Sequence, residues 1–165
     1  MMTYAIRNFT FTAAAKKIML AFFLIFISFL GTAHVDGYSS HLGGNPNYIL
    51  CDGHMGTAWY VDRSSLVVQK YEPPQYIIAV NVVTVNDADR GNTFISNVKT
   101  YRFFYNSNLG QMYIDRNNND DWRYLNPNGS WAATGISMPA GEIAFALAYG
   151  MKFYGIYSNS FYNRI

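Results

Sequence analysis

The chain contains a single cysteine, Cys51, in 165 residues. An internal disulfide is therefore impossible, and core packing must supply the stability that small exported domains commonly draw from such staples. A lone thiol exposed outside a cell is a liability. Its setting in Tyr48-Ile49-Leu50-Cys51 predicts a buried strand position, the usual place of a free Cys.

Charge is also scarce, at 13% of residues, while half of the chain is hydrophobic. That balance excludes a disordered charged tail, which lacks the apolar area to offset chain entropy. Histidine is limited to three, His34, His41 and His54, and no Gly-x-Ser-x-Gly occurs. A catalytic His must be held by a third group, which a Gly- and Ser-rich leader does not provide, so nothing marks nucleophilic catalysis. Cys51-x-x-His54 with His41 upstream lacks the further ligand that a structural zinc site requires. No metal or cofactor is expected, and the chain reads as a non-enzyme.

The N-terminal segment carries Arg7, Lys16 and Lys17 with no acidic residue before Asp36. An apolar run from Ile18 to Leu30 follows, broken only by Ser28, and Gly31-Thr32-Ala33 places small residues at a cleavage position. This is the three-part pattern of a secretory signal. The run is shorter than the roughly 20 residues a membrane-spanning helix needs. Residues 1–33 are thus expected to be a cleaved signal peptide, with the mature protein in the periplasm, on the surface or outside the cell and not in the membrane. Cys51 lies too far along, behind bulky neighbours, for a lipoprotein signal. From His34 onward nine Lys and Arg face ten Asp and Glu. A nearly neutral domain without a basic cluster is a poor nucleic-acid binder, because phosphate contacts dominate that affinity.

Aromatic residues are abundant: 14 Tyr, 12 Phe and 3 Trp. They favour half-buried pleated surfaces. Residues 34–46 (HVDGYSSHLGGNP) read as a flexible leader, and 47–165 as a single domain. Short strand-like runs follow, at Tyr48–Cys51, Thr57–Asp62, Ser65–Lys70, Tyr76–Val85, Asn97–Tyr105, Gln111–Ile114 and Trp122–Leu125, with turn residues between them. Among these breaks, Arg63-Ser64 is expected to divide the second run from the third. Ser137-Met138-Pro139 then opens a largely apolar helix to about Tyr154, ended by Gly155, with Glu142 near its N-terminal dipole. The tail is expected to be loose. These features predict an α+β fold: an antiparallel meander of five to seven strands with one C-terminal helix packed on the sheet.

The run Asp115-Arg-Asn-Asn-Asn-Asp-Asp121 is the strongest candidate for chemistry. Asp115, Asn117 and Asn119 match the first ligand positions of a calcium loop. Asp120 stands where the sharp turn demands Gly, however, and Asn126 where a bidentate Glu is needed. A polar hairpin turn explains the run more simply. Trp59, Trp122 and Trp131 with Tyr113 and Tyr124 are candidates for an aromatic platform, or for the core of a small sheet protein. Trp59 fits the core, whereas Trp122 and Trp131 border polar loops. Candidate binding residues are therefore Asp115, Asn117, Asn119, Asp121, Trp122 and Trp131.

Trp59-Tyr60-Val61-Asp62-x-x-Ser65, an apolar strand, Tyr101-x-Phe103-x-Tyr105 and Trp122-x-x-Leu125-x-Pro127 together resemble the small exported bacterial domains of the surface-adhesin protein E type. The resemblance covers about residues 57–150 and rests on strand-and-turn grammar. Here Trp59 is followed directly by Tyr60, and a cysteine pair carried by some relatives is missing. It implies an envelope or surface location and, as in the family's characterised members, binding of host matrix proteins, so a host or envelope protein is the expected partner; it transfers no functional residue. A small secreted enzyme or a glycan-binding module is the alternative.

Overall fold

Strand runs joined by short turns pair in chain order. The computed structural model describes residues 37–165, so the expected signal peptide, 1–33, lies outside the described residues. Strands β1 (Tyr48–His54), β2 (Thr57–Glu72), β3 (Gln75–Val85), β4 (Ile95–Asn106), β5 (Gln111–Asp115) and β6 (Arg123–Leu125) form one antiparallel sheet in the order β1-β2-β3-β4-β5-β6. Helix α1 (Trp131–Thr134), helix α2 (Ser137–Tyr149) and helix α3 (Asn159–Tyr162) follow. The fold is the α+β meander with a C-terminal helix that the sequence predicts.

Alternation along each strand sends one set of side chains toward α2. Val61, Ile78, Val80, Phe103, Tyr105, Met112 and Ile114 are buried there with Ile143, Ala144 and Phe145 of the helix. Ser137 to Phe145 are all buried, so the first two-thirds of α2 has no wet face. Gly141 permits this close approach: a Cβ there would lie 2.5 Å from Met112 Sδ and 3.0 Å from the Phe103 ring. Cys51 is buried on β1, as expected, and burial pushes its thiol pKa far up. Trp59 packs half-buried against the same cluster.

Four expectations are corrected. The second and third predicted strands are one, β2, and Arg63-Ser64 forms a bulge rather than a turn. The Asp62 carboxylate accepts hydrogen bonds from the Ser64 N–H (3.0 Å) and hydroxyl (2.6 Å). Across the gap the Ser65 hydroxyl receives the Asn81 N–H at 2.8 Å, so the broken ladder stays satisfied.

The long helix ends at Tyr149, not near Tyr154, because Gly150 takes a left-handed φ of 66° and its N–H caps Ala146 O at 2.8 Å. Residues 151–165 are not loose. Phe161 is 3% exposed, Tyr157 stacks on it at 4.1 Å, and the Tyr154 hydroxyl joins Met112 N–H of β5 to Leu125 O of β6.

The described part of the expected flexible leader, 37–46, likewise lies on the sheet. Leu42 is buried with Leu50, Ala58, Tyr60 and Val83 on the face opposite α2. Tyr38 covers Gly53, where a Cβ would fall 1.9 Å from its ring, and its hydroxyl receives the Gly56 N–H. Composition hid this, because one Leu and one Tyr among polar residues show no period.

Candidate functional site

The face of β4–β6 turned away from α2 carries an aromatic row. Register sets it up: Phe104 pairs with Tyr113, and Tyr113 with Tyr124. Ring centroids are 5.7 Å apart between Phe104 and Tyr113 and 5.5 Å between Tyr113 and Tyr124. Trp122 extends the row, 5.9 Å from Phe104. The Arg102 guanidinium lies over the Trp122 ring at 5.1 Å, a cation–π contact. Tyr124, on the short edge strand, is 48% exposed.

The polar run 115–121 supports this row rather than forming a ligand cage. Asp115 is 0% exposed, covered by its own loop. Its Oδ1 accepts N–H groups from Asn117 (3.0 Å) and Asn119 (3.4 Å), and its Oδ2 accepts Asp120 N–H (3.0 Å) and Arg102 (2.8 Å). Burial acts to raise its pKa, but the backbone donors of Asp120, Asn117, Asn119 and Asn118 hold it below the ordinary carboxylate value. Asp120 grips the same Arg102 nitrogen at 2.8 Å. Asn118 and Asp120 adopt left-handed φ of 55° and 65°, which Asn and Asp tolerate. Asp115 is thus a loop organiser instead of a free ligand, because both its oxygens are already engaged. Asn117, Asn119 and Asp121 remain exposed at the rim. Among the described residues no group of three or more His, Cys, Asp or Glu is placed to hold a metal.

Trp131 stands apart from this face. Its indole N–H donates to Asp52 Oδ2 at 2.6 Å, and the His54 ring packs on it at 5.1 Å. It is 51% exposed and borders a cleft of about 410 Å³ between β1, α1 and the C-terminal tail. The predicted set therefore divides: Trp122 and the loop belong to one surface, and Trp131 to another.

Sequence reasoning missed Phe104 and Arg102 as site residues. Their signal was present, since Arg102 falls in the alternation of β4 opposite Phe103, and Phe104 follows two residues later on the same side. Asp52 and Arg164, which share the cleft with Trp131, left no local signal because they come from opposite ends of the domain. No protein family, curated protein or solved structure matches the chain.

Proposed function

We propose that this is an exported, non-enzymatic envelope or surface protein that binds a protein partner through the open β4–β6 face. The observation that carries the reading is the row Trp122–Phe104–Tyr113–Tyr124 with Arg102 over Trp122. Trp, Tyr and Arg are the residues that dominate protein-binding hot spots, and they do so when ringed by polar groups that exclude water. Asn117, Asn119 and Asp121, exposed on the loop that leads into Trp122, supply such polar groups. The row is held in advance by the Arg102–Asp115–Asp120 bonds, which lowers the ordering cost of association. The N-terminal signal pattern and the resemblance to surface-adhesin protein E domains support the same compartment and partner class.

The test is binding of the protein, expressed in full and purified as the cell leaves it, to immobilised extracellular-matrix proteins. Tyr124→Ala and Trp122→Ala are expected to weaken binding by about tenfold or more each, with Lys99→Ala as a control elsewhere on β4. Equal binding by all variants removes the site. Loss of binding when the matrix protein is deglycosylated replaces the protein partner with a glycan.

A further inference from the structure

The cleft beside Trp131 holds two opposite charges, Asp52 and Arg164, that form no ion pair with each other. Asp52 is fixed by the Gly53 N–H on Oδ1 (2.8 Å) and the Trp131 indole on Oδ2 (2.6 Å). Arg164 is fixed at three points. Its Nε donates to Phe161 O at 3.1 Å, its guanidinium lies over the Phe161 ring at 4.6 Å, and its own carbonyl meets His41 Nε2 at 3.0 Å. Both residues line the same cleft, yet among the described residues no ion pair joins them. The terminal nitrogens of Arg164 have no hydrogen-bond partner among the described residues, and Asp52 has used two of its roughly four acceptor positions.

We propose that this cleft binds a small zwitterion of the α-amino-acid type with an apolar side chain. The planar fork of Arg164 matches a carboxylate in bidentate fashion. Asp52 then accepts the ammonium. Trp131, Tyr157, Met138 and Ile156 line the remaining space with aromatic and aliphatic surface. A volume of about 410 Å³ lies in the range of small-molecule sites. A plain anion fits less well because Asp52 repels it, and a plain cation fails against Arg164 for the same reason. Only a ligand carrying both charges meets both residues. Neither residue belongs to the β4–β6 face, so this site and the proposed partner surface stand or fall separately.

The test is titration calorimetry of the protein, expressed in full and purified as the cell leaves it, with free leucine, phenylalanine and tryptophan. Each is compared with its N-acetyl derivative, which lacks the ammonium, and its methyl ester, which lacks the carboxylate. Binding of at least one free amino acid is expected, weakened about tenfold or more by either blocking group. Arg164→Gln should abolish the discrimination between acid and ester, and Asp52→Asn that between free and acetylated amine. Arg164→Lys, which keeps the charge without the fork, covers the case of a poorly folded Gln variant and should retain weaker binding. No heat with any free amino acid at millimolar concentration, or tight binding that ignores both blocking groups, overturns the proposal.

Discussion

The Tyr162 hydroxyl donates to Glu142 Oε1 at 2.6 Å, tying the last short helix to the middle of α2. Glu142 is 0% exposed, and three backbone groups also donate to it: Phe153 N–H (2.9 Å), Tyr154 N–H (3.0 Å) and Gly155 N–H (3.1 Å). The turn after α2 thus wraps its N–H groups around one buried carboxylate. This cradle, rather than the helix dipole, is what Glu142 serves.

Glu142→Gln keeps the shape but puts an amide NH₂ against donors. The expected cost is roughly 2–4 kcal/mol, because buried N–H groups lose a charged acceptor. Chemical denaturation measures it. Limited proteolysis should show residues 151–165 cut first in the variant.

Alkaline pH should unfold the protein through its tyrosines. Burial, with Glu142 adding to it, raises the Tyr105, Tyr157 and Tyr162 pKa values above normal, and Tyr154 is pushed up to about 12. An unfolded tyrosine ionises near 10. Above that pH the unfolded state holds fewer protons, so stability is level below about pH 9 and falls as pH rises through 10. Ultraviolet titration of tyrosinate should show a late, cooperative step coincident with loss of structure. Independent ionisation of all tyrosines near pH 10, with the fold intact, would contradict this.

Gly141→Ala sets two effects against each other. Alanine gains about 1 kcal/mol of helix propensity. Its methyl meets Met112 Sδ and the Phe103 ring in a core where both residues are fully buried. Overpacking of this kind costs about 1–3 kcal/mol, so net destabilisation is expected. The Tyr105 hydroxyl bond to Gly141 O, 2.7 Å, should lengthen as the helix lifts. Thermal unfolding checks the sign.

Asp115→Asn should loosen the loop and the Arg102–Trp122 stack. A loss of about 1–2 kcal/mol at neutral pH is expected from the weakened backbone and Arg102 bonds. The folded Asp115 pKa lies below its unfolded value near 3.9. Its stabilisation is therefore present above about pH 4 and fades as pH falls through the folded value. Denaturation curves of the two proteins should converge at low pH. Millimolar calcium should leave the melting temperature of the native protein unchanged, since the Asp115 oxygens are occupied.

Local pattern alone was enough for the meander, the helix and the burial of Cys51. Alternating apolar residues and turn signals act over a few positions, and period-two alternation set the Arg102 face of β4 apart from the Phe103 face. What depended on distant partners was invisible along the chain. Arg63-Ser64 looks like a turn until Ser65 finds Asn81, and the tail looks loose until Glu142 gathers its N–H groups. The same holds for Asp52, Trp131 and Arg164. Charge and aromatic identity are written in the residues, but whether two charges pair, or face one cleft unpaired, is decided only when the ends of the domain meet.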